Sequence, residues 1–208
     1  GFFERHAEVL ASVQITSPHG QRAVSLQERQ AEMLREKIKG LEHRIMDMVR
    51  NSNDNTAIAT KVHQWTSALL RVKDPFDLPE AVVSGIRTLF DVPQAAVRVW
   101  TVAGPYIDAD FTQGASEDAR AFASSLTMPF CGPNLGFEPA GWLAQEAGEP
   151  AQSLALLPLR EGAIDSATPA FGLLVLGSPD PQRFDATMGT ESLSRIAELA
   201  SAALVRLK

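Results

Sequence analysis

The sequence predicts an α+β protein in which an antiparallel sheet with flanking helices follows a long N-terminal helical arm of the coiled-coil type. Two apolar runs near the C-terminus, 153–160 and 170–178, have the pattern of strands joined by a loop rich in small residues. An amphipathic segment follows them over 190–208. Near the N-terminus, apolar residues recur at every third or fourth position over 31–48, which is the heptad period of helices that pack along their length.

Residues 1–20 are predicted to form a short apolar helix that ends in a turn. Its buried side chains are expected to be Phe2, Phe3, Val9 and Leu10. The turn is predicted from Pro18 and Gly20, because both residue types interrupt helices.

The arm is predicted as a helix from Ala23 to about Arg50. Ser25 followed by Glu28 has the spacing of a capping box, in which both side chains bond backbone N–H groups at a helix start. The apolar row along this helix needs a partner to shield it from water, and a second copy of the chain is the expected partner. The predicted dimer interface consists of Ala31, Leu34, Ile38, Leu41, Ile45 and Met48, extended by Val62 and Leu69.

The polar stretch 51–55 leaves two interpretations open. It is either a loop between two helices or a polar part of one helix that fixes the register between two chains. The continuous helix is favoured, because positions 48, 55, 62 and 69 stay in phase with the apolar row. The domain boundary is placed at this point, with the arm and dimerisation helix over 1–55 and a sheet domain over 56–208.

The sheet domain is predicted to begin with a helix and a strand. Asp77 and Glu80 form a second capping box, and the helix that they open stops near Pro93. Alternating apolar residues over 95–102 predict a strand, and 106–111 is its expected partner.

The rest of the sheet domain is predicted as helix, irregular chain, helix, and then the C-terminal strands and helix. The first helix covers 117–125, the irregular stretch 126–136 contains two prolines and two glycines, and the second helix covers 139–147. Residues at helical spacing on the last helix are expected to be buried: Leu193, Ile196, Ala197, Ala200, Ala203, Leu204 and Leu207.

Composition excludes several classes of partner. With 208 residues, 45% of them hydrophobic, the chain can bury a core, but no apolar run approaches the roughly 20 residues that cross a membrane. A single cysteine leaves no internal disulfide, so the cytoplasm is the expected location.

The net charge is −6, with +2 over 21–50 and −7 over 51–208, and an acidic body does not attract phosphate groups. Neither nucleic acid nor a membrane is therefore an expected partner.

The order of elements over 56–208 resembles that of GAF domains, in which helices cover one face of an antiparallel sheet and a crossover covers a pocket on the other. At the N-terminal side the strings FFERH, PHG and AVSLQERQ resemble the opening of a bacterial family called domain of unknown function 484. The later string GLLVLGS also fits that family. The resemblance spans nearly the whole chain. It implies a cytoplasmic bacterial protein in which a helical arm is joined to a GAF-like domain.

The sequence contains no pattern of catalytic residues, so we expect no enzyme. It has no Gly-x-Ser-x-Gly elbow, and the spacing of the glycines in 132–136 matches neither nucleotide-binding fingerprint. The histidines lack the spacing of metal ligands, so no metal is expected, and the cofactor, if the protein has one, is not identified. These histidines are His6, His19, His43 and His63.

A ligand pocket is expected between the strand 95–102 and the crossover. Its predicted residues are Arg98, Trp100, Phe130, Cys131, Leu135 and Trp142. Arg98 and Trp100 share the strand face opposite Val97 and Val99, where an arginine beside an aromatic wall would bind an anion. The plainer interpretation, which is favoured, is an arginine stem on apolar surface beside a core tryptophan. Cys131 is interpreted as a small apolar residue, because no neighbouring residue lowers its pKa.

These observations favour a non-enzymatic GAF-like sensory or regulatory protein that dimerises through its arm and binds a small molecule in the pocket. The alternative is a protein–protein adaptor that uses the same fold as a ligand-free scaffold, with a protein partner that the sequence does not identify. A closed apolar pocket beneath 130–142 favours the first hypothesis, and a pocket filled by side chains favours the second. A redox or hydrolytic enzyme is the third and weakest hypothesis.

Overall fold

The computed structural model of the chain describes residues 14–16, 23–143, 149–186 and 190–208. The chain divides into two units, Gly1–Ala57 and Ile58–Lys208.

Two short antiparallel strands precede the long helix in the first unit. β1 (Gln14–Thr16) pairs with β2 (Ala23–Ser25), and Ile15 lies opposite Val24. β-branched residues in both segments favour the extended chain over the helix. The predicted helix over 1–20 is therefore wrong at β1, and the arm helix begins later than predicted.

The remaining parts of that first prediction, 1–13 and 17–20, lie outside the described residues. They include the expected buried residues Phe2, Phe3, Val9 and Leu10.

The long helix, α1 (Leu26–Arg71), begins immediately after Ser25 and is continuous. The polar stretch 51–55 is helical throughout, so the interpretation as one helix is confirmed. Within this stretch the hydroxyl of Thr56 donates to the carbonyl of Ser52 at 2.9 Å. The side chain thus bonds within the helix, where it could otherwise favour a turn.

The second unit is built on a four-stranded antiparallel sheet. Its strands are β3 (Gln94–Val99), β4 (Phe130–Pro133), β5 (Ser153–Leu159) and β6 (Gly172–Ser178). They lie in the order β3-β6-β5-β4, so the two apolar C-terminal runs are the central strands. Every residue of β5 and β6 is buried, as continuous apolar runs require, and both predicted strands are confirmed.

Helices pack on both faces of this sheet. The helices of the second unit that follow α1 are α2 (Leu78–Leu89), α3 (Glu117–Ser125) and α4 (Glu191–Leu204). A core of buried side chains joins α2, α4 and the Ile58–Arg71 part of α1 to the sheet. Trp65 is fully buried in this core beside α2, where a Cβ built on Gly85 would lie 2.4 Å from the indole Cδ1.

Leu69 lies in the same core and is only 4% exposed. It was expected to extend the dimer interface, and this expectation is corrected here, because its side chain is already shielded by its own domain. Val62 is half-buried.

Residues 106–111 do not form the predicted partner strand of β3. They lie across two 3-10 turns, Gly104–Tyr106 and Asp110–Thr112, and the bend 107–109 that joins them, and the hydroxyl of Thr112 donates to the carbonyl of Ala109 at 2.7 Å. The chain curls after Pro105, since a proline at this place fixes a turn conformation.

The stretch predicted as irregular, 126–136, contains the edge strand β4. Its last residue is Pro133, and prolines in sheets occur at edges, where a missing N–H breaks no ladder bond. The helix predicted over 139–147 is a 3-10 turn, Glu138–Trp142, and the segment 144–147 lies outside the described residues.

The start of α2 follows Asp77, as predicted, but the carboxylate of Asp77 makes no capping hydrogen bond. The carboxylate of Asp74 instead accepts a hydrogen bond from the N–H of Phe76 at 3.0 Å, within the 3-10 turn Pro75–Asp77. The second capping box therefore has the predicted position but not the predicted bonds.

Candidate functional site

The sheet face opposite α2 and α4 carries a second apolar layer, which contains three of the six predicted pocket residues, Trp100, Phe130 and Trp142. The strands contribute Ala96, Leu154, Leu156, Leu173 and Val175. α3 and the 3-10 turn Glu138–Trp142, which we call the crossover turn, supply side chains that pack against this layer. Side chains alternate along β3 as predicted, because Val97 and Val99 pack in the helix-side core and Trp100 packs in this layer.

Arg98 and Trp142 are brought together on this face. The guanidinium carbon of Arg98 lies 5.9 Å from the centre of the Trp142 ring, within range of a cation–π interaction. Arg98 Nη1 donates to the carbonyl of Val97 at 3.1 Å, and its Nε is buried with no partner among the described residues. Burial lowers the pKa of Arg98, and the negative charge of Asp110 offsets part of this effect.

Trp100 is a core residue. Its indole N–H donates to the carbonyl of Ala170 at 2.7 Å, so its one polar group is satisfied inside the protein. The guanidinium carbon of Arg120, which is exposed, lies 5.8 Å from its ring centre.

Two contacts hold the crossover turn against the start of α3. The carboxylate of Glu138 accepts hydrogen bonds from the hydroxyl and the backbone N–H of Ser116, and the N–H bond is 3.0 Å long. The hydroxyl of Ser116 also accepts from the N–H of Ala119 at 3.1 Å and so caps α3. The hydrogen bond from the Ser116 hydroxyl and, to a smaller extent, the one from the Ser116 N–H lower the pKa of Glu138. At the other end of the turn, the indole N–H of Trp142 donates to the carbonyl of Gly114 at 3.0 Å.

The remaining predicted pocket residues are dispersed. Phe130 packs edge-on against Phe137 with ring centres 5.4 Å apart, on the crossover side. Cys131 belongs to the helix-side core, because adjacent residues of a strand point to opposite faces, and burial raises the pKa of its thiol to about 11. Leu135 is 76% exposed. The six predicted pocket residues are therefore not brought together around one space.

An open cleft of about 540 Å³ lies instead beyond the crossover turn, and we call it the crossover cleft. Its described lining contains none of the predicted pocket residues. It is lined by Gln94, Asn134, Gly136, Phe137, Ala140, Gly141, Leu143, Glu149, Pro150 and Ala151. Two side-chain amides brace its wall, since Gln94 Nε2 donates to the carbonyl of Glu149 at 3.0 Å and Asn134 Nδ2 donates to that of Ala151 at 2.9 Å.

Sequence reasoning missed the cleft because its lining comes from segments that are distant along the chain. Gln94, the first residue of β3, gave the one local signal: a long polar side chain at the start of an apolar strand needs a nearby partner once it is buried.

Arg160 is a second residue that sequence reasoning missed. Although it is charged, it is only 3% exposed. Its guanidinium donates to five backbone carbonyls, those of Ala123, Ser124, Leu126, Ser166 and Thr168. Three of these carbonyls lie at the C-terminal end of α3, where a cation is favoured by the helix dipole. The arginine therefore ties the end of β5 to α3 and to the loop that precedes β6.

The predicted interface on α1 is exposed to solvent in the first unit. Five side chains, Leu34, Ile38, Leu41, Ile45 and Met48, are between 48% and 70% exposed, and Ala31 is half-buried. We call these six residues the arm stripe. Large apolar side chains in a continuous row are costly to leave in water, so such a row marks an interaction surface.

Two further properties concern metals and membranes. Among residues 14–16, 23–143, 149–186 and 190–208, no three His, Cys, Asp or Glu side chains lie close enough together to hold a metal ion. In the same parts of the chain, no helix combines the length and the apolar character of a membrane span.

The fold class is the one that the sequence predicts: α+β, with a four-stranded antiparallel sheet, flanking helices and a long preceding helix. The chain belongs to the DUF484 family, described as protein of unknown function, whose model matches residues 1–208. The resemblance of the N-terminal strings to that family is thereby confirmed.

GAF domains are among the solved structures that are similar to the chain. The GAF domain of a candidate sensor histidine kinase from Pseudomonas syringae pv. tomato is 17% identical, with a TM-score of 0.47 over 76% of this chain and 91% of that chain. The GAF domain of A. aeolicus nlh2 in an inactive state is 11% identical, with a TM-score of 0.48 over 74% of this chain and 99% of that chain. None of the curated proteins matches the chain.

Proposed function

We propose that this protein is a non-enzymatic regulatory protein that acts as a homodimer through the arm stripe and holds a small molecule in the crossover cleft. The observation that carries the proposal is the row of exposed apolar side chains at heptad spacing on α1. The location of the protein in the cytoplasm stays a prediction.

The arm stripe supports dimerisation on energetic grounds. A Leu, Ile or Met side chain contributes about 1.5–3 kcal/mol when it passes from water to full burial. Two copies of the stripe would shield each other along the helix from Ala31 to Met48, at the spacing that a coiled coil requires. Leu69 is not part of this surface, because the core of its own domain covers it.

Sedimentation velocity at micromolar concentration tests the dimer. We expect the protein to sediment as a dimer and the Ile45→Asp variant as a monomer, because the substitution places a charge within the apolar stripe. Glu36→Gln is the matched control, since Glu36 lies on the outer side of the same helix, and it should leave the dimer intact. A wild-type monomer at this concentration would contradict the proposal.

The crossover cleft supports a small-molecule site. Its volume of about 540 Å³ lies in the range of ligand pockets, and its lining combines apolar side chains with a few polar groups. The predicted pocket residues are dispersed, but the cleft offers another place for a ligand, and Phe137 and Leu143 form part of its lining.

Native mass spectrometry of freshly purified protein tests the ligand site. We expect a bound small molecule to be retained by the wild type and lost from Gly141→Leu, because Gly141 lines the cleft and a Cβ there meets no atom within 4 Å, so the variant should fold. Leu135→Ser, an exposed neighbour outside the lining, is the matched control and should retain the molecule. A wild-type protein with no bound molecule would leave the adaptor as the better hypothesis.

A further inference from the structure

We infer that the two arm helices of the dimer run parallel and in register, as a two-stranded coiled coil in which each residue of the arm stripe meets its own copy. This inference rests on the proposed function, which states only that the stripe meets a second chain. It adds the direction, the register and the number of helices.

The first argument is the type of residue at each position of the stripe. Ala31, Ile38 and Ile45 occupy the a positions of the heptad. The d positions are Leu34, Leu41 and Met48. β-branched residues at a with leucine at d fit the side-chain packing of two parallel strands better than that of three or four.

The second argument is the charge beside the stripe. In a parallel pair, each g residue lies beside the e residue five positions later on the other helix. This arrangement places Lys37 beside Glu42 of the second copy, twice per dimer. The other two flanking pairs contain at most one charge each: Gln30 with Arg35, and Arg44 with Val49. All flanking charge pairs of the parallel dimer are therefore attractive.

The antiparallel pair that keeps the same stripe buried gives a different result. It places Ala31 opposite Met48, and g residues then lie beside g residues and e residues beside e residues. Lys37 would lie beside Arg44 of the second copy, which is repulsive, while Arg35 would lie beside Glu42, which is attractive. In the antiparallel dimer the repulsive pair offsets the attractive pair, so charge favours the parallel dimer.

The third argument fixes the register. Ser52 and Asn55 take the next a and d positions of the same continuous helix. In register, each polar side chain meets its own copy and can hydrogen-bond to it. A slip by one heptad would place Ile45 opposite Ser52 and Met48 opposite Asn55, which leaves polar groups against apolar ones.

Reversal of one charge tests the direction of the helices, because the parallel and antiparallel dimers predict opposite changes in the dissociation constant. Lys37 has no acidic residue three or four positions away, so Lys37→Glu removes no pair within its own helix. In the parallel dimer this variant should raise the dissociation constant about fivefold to tenfold, since two exposed attractive pairs become repulsive. The added substitution Glu42→Lys should restore the constant to within about twofold. In an antiparallel dimer, Lys37→Glu would tighten binding, and that result would overturn the inference.

Disulfide cross-linking tests the register. In a Cys131→Ala background, Ala31→Cys and Met48→Cys should each form a disulfide-linked homodimer under mild oxidation. Glu36→Cys on the outer side is the matched control and should not. Residues 31 and 48 are about 25 Å apart along a helix, too far for a disulfide unless the helices are antiparallel. Linkage only in a mixture of the two variants would therefore overturn the parallel arrangement.

Sedimentation of the same samples separates the two levels of the proposal. A monomer would overturn the proposed dimer and this inference together. A dimer that forms a disulfide only in the mixture of the two cysteine variants would overturn the parallel arrangement, and a trimer or tetramer would overturn the two-stranded one. Both results would still support association through the stripe. A dimer with both self-links and the weaker Lys37→Glu variant is the result that we expect.

Discussion

Replacement of Arg160 by alanine should destabilise the sheet domain far more than the loss of an exposed arginine. The guanidinium is nearly fully buried, and its partners are backbone carbonyls of α3 and of the loop before β6. The best-formed contacts are those to Ser124 at 2.6 Å, Leu126 at 2.7 Å and Ser166 at 3.0 Å. Alanine removes all of these donors at once and leaves the carbonyls without them.

The size of the effect follows from these three bonds. A hydrogen bond to a charged group contributes about 1.5–3 kcal/mol, and the low end applies here because the carbonyls are only partly buried and water can replace some of the donors. We therefore expect Arg160→Ala to lower the free energy of unfolding by about 4–5 kcal/mol. That is a large part of the 5–15 kcal/mol that is typical of a folded domain.

Urea unfolding followed by circular dichroism measures this change, at one fixed protein concentration because dimerisation adds a concentration-dependent term. Arg195→Ala is the matched control. Arg195 is exposed and pairs with Glu191 on the same helix at 2.7 Å, so its loss should cost less than about 0.5 kcal/mol. If Arg160→Ala lowered the free energy of unfolding by less than about 1 kcal/mol, the view that this residue holds α3 to the sheet would be refuted.

Three further predictions follow from the cores and the crossover turn. Cys131 should react with a thiol reagent at pH 8 only as the protein unfolds, because it is buried and its pKa is raised to about 11; reaction of the native protein at the rate of a free thiol would contradict this. The bonds from Ser116 lower the pKa of Glu138, so their contribution to stability should be complete above about pH 4.3 and lost as the pH falls through the lowered pKa. Glu138→Gln should remove that part of the pH dependence of Tm, and an unchanged profile would count against the contact. Gly85→Ala should cost about 1–3 kcal/mol in urea unfolding, because the new Cβ lies 2.4 Å from the indole of Trp65; a variant as stable as the wild type would show that the indole has room to move.

The elements that could be predicted from the sequence are those whose pattern is set by burial alone. β5 and β6 are continuous apolar runs because both of their faces are covered, and the helical period of α4 appears in Leu193, Ile196 and Leu204. The continuity of α1 through 51–55 was also predictable, because the apolar positions on either side stay in phase. In each case one local pattern and one buried face determine the structure.

The elements that could not be predicted depend on partners that are distant along the chain. β4 contains Gly132 and Pro133 and resembles a loop, yet it forms a strand because the edge of β5 offers it a ladder of hydrogen bonds. Once β4 is missed, Phe130 and Cys131 are assigned to one pocket, although a strand points them to opposite faces. The same limit hid the cleft, whose lining joins the start of β3 to residues between β4 and β5.

The anchors of the crossover turn and the lining of the crossover cleft are different residues, and this separation bears on the proposed function. Trp142 holds the turn through Arg98 and Gly114, and Glu138 holds it through Ser116. The turn contributes Ala140 and Gly141 to the cleft, and neither makes an anchoring contact. A small molecule in the cleft can therefore contact the turn without breaking its anchors. Any strain that it places on the turn would pass through the Glu138–Ser116 bonds to the start of α3, because Ser116 caps that helix.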